Sequence, residues 1–215
     1  YEVTAWVRDP QRARTRLGPS VQLCSTQLPS AQLAERLSGV DAVVNLAGES
    51  LMQKPWTRAR KGSLWKSRVD LTQQLVAACN AAARPPRVFI STSAVGYYGD
   101  SGARELTEES ARGEGFLAEL CEAWEQAALR AKPRVPRVCM LRLGIVLGAD
   151  GGALAAMLPA FRLGLGGPLG NGEQYVPFIH LDDLLAILLQ GLTDERFHGV
   201  MNCSAPEPVR VRAFA

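Results

Sequence analysis

The sequence predicts an α/β fold: a doubly wound parallel sheet with helices on both faces. Two observations carry that expectation. Short apolar runs of strand length alternate with longer segments of helical period along the 215 residues. The central runs, residues 40–46 (VDAVVNL) and 137–143 (RVCMLRL), are apolar through most of their length instead of alternating. That is the pattern of strands covered on two faces.

Each element has its own warrant. Residues 1–7 alternate and favour β structure, so they read as the first strand. Residues 21–24 give a short second strand and residues 28–37 a helix. The run at 40–46 is a buried strand. Across 57–83, Leu64, Trp65, Leu71, Leu75, Val76 and Cys79 fall on one helical face. Pro85 and Pro86 end that helix, because proline has no amide to donate and disfavours helix in the residue before it. Residues 87–91 form the next strand. In 115–130, Phe116, Leu117, Leu120, Cys121, Trp124 and Ala128 share a helical face, and Pro133 and Pro136 stop it. Residues 137–143 are another buried strand. Residues 182–192 are a helix whose Asp182 carboxylate is placed to accept an orphan amide bond as N-cap. Residues 199–203 close the pattern as a short strand. The glycine-rich stretch at 163–172 lacks the strand-before, helix-after order of a phosphate loop, so it reads as a substrate-side loop. Residues 1–215 thus form one domain, with 148–180 as a substrate-side insertion.

Composition narrows the function classes. A net charge of +3 with scattered basic residues gives no footprint for nucleic acid. The densest basic run, Arg58, Arg60, Lys61, Lys66 and Arg68, reads as a solvated helix face. Five cysteines, none in CxxC spacing, read as reduced buried thiols of a cytoplasmic protein. Two histidines are too few for a histidine-rich metal site. No stretch reaches the length of a membrane span. Partner expectations are a small-molecule substrate, no nucleic acid, no membrane, and a homodimer as the oligomeric option.

Ligands of open parallel sheets bind beyond the carboxyl ends of the strands. The first strand ends Val7-Arg8-Asp9. An acidic residue there grips the ribose hydroxyls of NAD, whereas a basic one pairs with the extra phosphate of NADP. Arg8 therefore favours NADP over NAD. Asp9 argues the other way, and a solvated Arg8 is the plain alternative. The strand at 40–46 runs into Ala47 and Gly48, whose small side chains let a flat ligand approach. The strand at 87–91 ends in Ser91, Thr92 and Ser93. A local serine turn explains these hydroxyls as well as a substrate contact does.

Taken in order, NLAGES, KSRVDLTQQL, STSAVGYYGD, FLAELCEAWE, LRLGIVLGADGGAL, RLGLGGPLGNGEQYVPFIHLDDL and NCSAPEPV resemble the extended short-chain dehydrogenase/reductase superfamily. More narrowly, the chain is similar to its epimerase-like subfamily of cell-division-inhibitor homologues. The resemblance implies a Rossmann-type fold and NADP. It places Val7 and Arg8 at the adenosine phosphate end, Leu46 and Ala47 along the cofactor, Arg68 within reach of its phosphates, and Val146 and Leu147 against the nicotinamide. It makes Ser93 the counterpart of the superfamily's catalytic serine. It gives Asp183 a capping role and His180 a buried, hydrogen-bonded one.

The superfamily's catalytic Tyr and Lys lie four residues apart, with a Glu four residues after the Lys. Glu125 matches that Glu, which puts Cys121 where Lys belongs and Leu117 where Tyr belongs. The pair is absent. Tyr97 and Tyr98 are the nearest phenols and read as packing. The superfamily also opens with strand, GxxGxxG and helix, and no such motif occurs here. The chain is therefore expected to be part of a longer protein, lacking a strand between residues 1–7 and 40–46, and to bind NADP poorly by itself. The expected parent is an NADP-dependent oxidoreductase or epimerase acting on a small carbonyl or sugar-like substrate, with a non-catalytic NADP sensor as the alternative.

Overall fold

The computed structural model describes residues 1–51, 54–149, 151–167 and 170–214. Asp150, and Pro168 and Leu169 of the glycine-rich loop, lie outside the described residues. The chain begins β1 (Thr4–Val7), α1 (Pro10–Leu17), β2 (Gln22–Ser25), α2 (Ser30–Leu37), β3 (Ala42–Asn45). One long helical stretch follows, made of α3 (Arg58–Trp65), a π-helical turn (Lys66–Asp70) and α4 (Leu71–Ala81). Next come β4 (Val88–Ala94), a 3-10 turn (Val95–Tyr98), α5 (Phe116–Leu129), β5 (Arg137–Leu143), β6 (Ile145–Gly148) and α6 (Gly152–Arg162). The last elements are β7 (Tyr175–Val176), β8 (Phe178–His180), α7 (Leu181–Thr193), β9 (Gly199–Cys203), β10 (Val209–Arg210) and α8 (Val211–Phe214).

The main sheet is parallel, in the order β3-β4-β5-β9, and β1 and β2 form a separate parallel pair. This is the α/β parallel architecture the sequence predicts. β6 pairs with β8, and β7 with β10. β1 and β3 do not pair with each other. Even so, Trp6 packs against the cluster that contains Val43, and Arg8 reaches Glu49 just beyond β3.

The two-residue period of a strand sorts the core into two layers. Val43, Phe89, Val138 and Met140 point to one face and pack under α4 and α5. Val88, Ile90, Cys139 and Leu141 point to the other and pack under Leu184 and Leu188 of α7. The Arg137 guanidinium, at the start of β5, donates to the carbonyls of Gly191, Leu192, Asp194 and Phe197. It caps the end of α7 and fixes that helix against the sheet.

Several expectations change. α1 was not visible in the sequence because its residues, PQRARTRL, bury none of their number. Its signals are local: Pro10 in the first turn, and Asp9 as N-cap accepting from the Arg12 amide at 3.0 Å. A capping role accounts for Asp9, so it no longer argues against NADP. Asp182 is not the N-cap of α7. His180 is, with Nδ1 accepting from the Asp182 amide at 3.2 Å. His180 is exposed instead of buried, and Asp183 sits in the first turn, where its charge suits the helix dipole. The stretch expected to be an insertion loop contains α6, β7 and β8.

All five cysteines are free and buried. Burial pushes the Cys79 thiol up to about 12 and those of Cys121 and Cys203 up to about 11. In that range the folded chain keeps protons that the unfolded chain has lost. Stability is therefore level below the ordinary thiol value and falls as pH rises through the window above it. Each pH unit there costs about 1.4 kcal/mol per thiol. Urea midpoints at about pH 8 and about pH 10.5 are expected to show the decline. A Cys79→Ala chain is expected to decline less steeply from its own lower starting point; equal slopes would refute the assignment.

Candidate functional site

Toward their carboxyl ends, the strands change character on the α4/α5 face. Val43, Phe89 and Val138 give way to Asn45, Ser91, Ser93 and Arg142, all buried. Buried polar groups are costly unless paired, and these are paired. Asn45 Nδ2 donates to Thr72 Oγ1 at 2.8 Å and to Ser91 Oγ at 3.2 Å. Trp124 Nε1 donates to the same Thr72 oxygen at 2.9 Å. Ser93 Oγ donates to Glu125 Oε1 at 2.7 Å.

Glu125 and Arg142 form a two-pronged pair, Nε to Oε1 and Nη2 to Oε2, both at 2.9 Å. Their side chains are 7 % and 4 % exposed. Arg142 Nη1 donates to Tyr98 Oη at 2.8 Å, and Tyr98 donates onward to Asn202 Oδ1 at 2.7 Å. The guanidinium also lies 3.5 Å from the Tyr97 ring centroid. Burial works against the charged guanidinium, but the bonds from Glu125 and Tyr98 outweigh it and hold the group above its ordinary value. The loop after the 3-10 turn is clipped down at Glu108, whose carbonyl accepts from Arg142 and whose carboxylate accepts from the Asn202 amide. At its far end the loop returns against the 3-10 turn, where Gly113 is needed because a Cβ there would lie 2.1 Å from the Tyr98 carbonyl oxygen.

A second cluster forms at the ends of β1 and β3. Arg8 is 80 % exposed, with Nη1 3.8 Å from Glu49 Oε1. Arg60 bonds the other Glu49 oxygen and the Ser50 carbonyl. Arg68 Nη2 donates to the Glu49 carbonyl at 2.8 Å. Arg68 lies on the π-helical turn, and such turns often re-aim side chains at functional sites. Burial, together with the nearby Arg60 charge, draws the Arg68 guanidinium below its ordinary value. Gly48 lets it pass, because a Cβ there would come 3.0 Å from Arg68 Cζ.

The structure thus joins Arg8, the loop carrying Leu46 and Ala47, and Arg68. Val7 is the last residue of β1, half-buried. Ala47 is half-buried, its amide donating to Asn45 Oδ1 at 3.3 Å, and Leu46 is exposed. Val146 and Leu147 lie on β6, paired with Ile179 and His180 of β8. Among the described residues, β6 pairs with β8 in a sheet separate from those of β1 and β3. Ser93 is 3 % exposed, with its proton held by Glu125. The Cys121 thiol lies within hydrogen-bond reach of Ser93, and burial holds it protonated at neutral pH.

The basic run is not a uniformly solvated face. The Arg60 side chain is 9 % exposed and Arg68 is half-buried, because α3 and the π turn aim them back at the β3 loop. Glu49, Arg60 and the Glu125–Arg142 pairing are missed by sequence reasoning. For the pair the signal is a charge inside each of two apolar patterns, the α5 face and RVCMLRL.

Replacing Glu125 by Leu would leave a buried guanidinium without its counter-ion. A loss of about 3–5 kcal/mol in urea unfolding is expected, with much of it recovered in a Glu125→Leu/Arg142→Met double variant. A single-variant loss under about 1 kcal/mol would show the pair to be dispensable.

Comparison with known proteins places the chain in a family. A family model described as the NAD dependent epimerase/dehydratase family matches residues 1–203. The Arabidopsis thaliana epimerase family protein SDR39U1 homolog, chloroplastic, is 44 % identical over 178 residues, which is 81 % of this chain and 50 % of that protein. Human epimerase family protein SDR39U1 is 37 % identical over 218 residues, covering 100 % of this chain and 70 % of the human one. A crystal structure of human SDR39U1 (isoform 2) with NADPH superposes on 100 % of this chain and 69 % of that one, with a TM-score of 0.84. A nucleoside-diphosphate sugar epimerase from Corynebacterium glutamicum is 31 % identical, covering 100 % of this chain and 49 % of that one, with a TM-score of 0.78. The chain spans about half the length of the first curated relatives, 50 % and 58 %. With a parallel sheet, arginines gathered at its carboxyl rim and a matching family model over nearly its whole length, the chain belongs to the NAD dependent epimerase/dehydratase family.

Proposed function

We propose that the protein is an NADP-dependent oxidoreductase or epimerase-like enzyme acting on a small carbonyl or sugar-like substrate. One observation carries this reading: Arg8, Arg60 and Arg68 converge with the Ala47–Gly48 loop at the ends of two parallel strands. Guanidinium forks suit phosphate oxygens, and small loop residues let a dinucleotide lie close. The relative crystallised with NADPH supports the same cofactor.

In this reading Arg8 and Arg68 hold phosphates. Val7 sits with Arg8 at the adenosine phosphate end, Leu46 and Ala47 line the cofactor, and Val146 and Leu147 stand against the nicotinamide. The bound cofactor supplies or takes a hydride. Ser93 meets the substrate: with its proton on Glu125 its Oγ accepts from a substrate hydroxyl, and it donates to a carbonyl oxygen only when that proton turns away from Glu125. The 215 residues form one cofactor domain, with 148–180 on the substrate side.

A non-catalytic NADP-binding sensor is the second reading. It is favoured by Leu117 and Cys121, which occupy the α5 positions where the superfamily carries a phenol and an amine. General acid–base help of that kind contributes roughly 10²–10⁴-fold, and neither side chain supplies it at neutral pH.

Full-length protein mixed with NADPH and a carbonyl panel is expected to lose reduced-nicotinamide absorbance. A Ser93→Ala variant is expected to slow that loss by at least about tenfold without weakening NADPH binding. Binding without turnover across the panel would favour the sensor, and undiminished turnover of Ser93→Ala would remove Ser93 from the site.

We also propose that the cofactor's pyrophosphate is held by a strand–turn–helix unit lying between β1 and β3, whose facing edges carry no partner among the described residues. The 215-residue chain titrated with NADPH is then expected to bind more weakly than about 100 μM. Micromolar binding would overturn this placement.

A further inference from the structure

We propose that Glu49 is a built-in anion occupying a guanidinium pair, Arg8 and Arg60, that otherwise takes a phosphate monoester carried on a nucleoside ribose. The inference rests on the NADP reading above and adds two residues to it: Arg60 as a phosphate ligand and Glu49 as the internal competitor that sets the threshold for binding.

Arg60 is the starting point. It sits in the first turn of α3, and its side chain is only 9 % exposed. A guanidinium carries five N–H donors in a fixed fork. The terminal nitrogens of Arg60 bond the Glu49 carboxylate and the Ser50 carbonyl, but its Nε is buried with no partner among the described residues. A buried charged donor left unpaired is costly. A ligand with more oxygens than one carboxylate satisfies this fork better than Glu49 does.

Charge points the same way. Arg8, Arg60 and Arg68 lie around one acidic side chain, Glu49. Beside this cluster Lys54, Thr57, Arg60 and Ser63 line an open groove of about 360 Å³, which Arg8 and Glu49 do not line. A phosphate monoester brings nearly two negative charges and three acceptor oxygens, and a fork-to-phosphate contact is among the stronger hydrogen-bonded arrangements.

Glu49 is built to yield. Its backbone is fixed at both polar atoms: the amide donates to Ser67 Oγ at 3.1 Å, and the carbonyl accepts from Arg68 at 2.8 Å. Its side chain is 30 % exposed. The carboxylate can therefore swing toward solvent while the loop keeps its shape. Its contact to Arg8 is long and exposed, the kind of ion pair that contributes little.

The test needs no turnover. Full-length protein is titrated calorimetrically with 2′-phospho-ADP-ribose and with ADP-ribose, which differ by one phosphate monoester. Wild type is expected to prefer the phosphorylated ligand. Arg60→Ala is expected to weaken it by about 10- to 100-fold and to change ADP-ribose by less than about threefold. Arg60→Lys keeps the charge without the fork and is expected to fall between. Glu49→Gln removes the competitor and is expected to tighten the phosphorylated ligand by about 3- to 10-fold, a gain that misfolding does not produce. Equal losses for both ligands in Arg60→Ala, or weaker binding in Glu49→Gln, would overturn the proposal and leave the NADP reading standing. A wild type that binds neither ligand would sink both.

Discussion

The buried pair between Glu125 and Arg142 is the constraint on which this end of the molecule depends. Arg142 occupies the α4/α5 face of β5, where two residues earlier the same face carries Met140 in the apolar core. A guanidinium there is tolerable only with a carboxylate in register, and α5 supplies one. That register fixes more than two side chains. It sets the height of α5 over β4, orients Ser93, anchors Tyr98 to Asn202, and clips the Glu108 loop onto β9. Pairs of this kind often add little net stability over an apolar pair of similar volume. Its value here lies in position: five separate segments take their places from one fork.

The same economy explains the gradient along the sheet. At their amino ends β3, β4 and β5 bury apolar side chains on both faces, which drives the layers together. At their carboxyl ends the α4/α5 face turns polar: Asn45 bonds Ser91 and Thr72, Trp124 bonds the same Thr72 oxygen, and Glu125 meets Ser93 and Arg142. The π turn belongs to the same design. It interrupts a helix that would otherwise run on, and the residue it re-aims, Arg68, crosses Gly48 to hold the β3 loop.

Much of this was legible in the sequence, and the remainder fails for physical reasons. Residues 137–143 and 199–203 match β5 and β9, because continuous apolar runs bounded by proline or glycine have few alternatives. The candidate residues Arg8 and Ala47 each follow a strand end and lie near one another through Glu49, whereas Arg68 reaches the same loop from the π turn. α1 was invisible because a helix that buries nothing leaves no apolar period, only the Asp9–Pro10 start signal. His180 was misplaced because capping depends on where the chain turns, and an imidazole nitrogen accepts a bond as an aspartate oxygen does. Arg60 looked solvated because one-dimensional charge counts carry no information on which way a helix faces. Partners distant in sequence, Glu49 to Arg60 or Glu125 to Arg142, become visible only once the sheet has set the distances.

The two clusters are also parts of one frame. Arg68 Cζ stands 5.4 Å from the Trp124 ring centroid. Trp124 bonds Thr72, Thr72 bonds Asn45, and Asn45 bonds Ser91 two residues before Ser93. A ligand that is anionic at one end and reactive at the other needs a fixed span between its two anchor points. Loops alone supply that poorly, because each extra rotatable bond widens the spread of distances. Here the loop after β3 and the buried serine of β4 follow adjacent strands, Arg68 is tied to that loop through the Glu49 carbonyl, and parallel strands keep a spacing of about 4.8 Å whatever their side chains. The separation is set by backbone hydrogen bonds. Ser93 can therefore be varied without moving Arg68, and the loop after β3 can change its contacts without disturbing the Glu125–Arg142 fork.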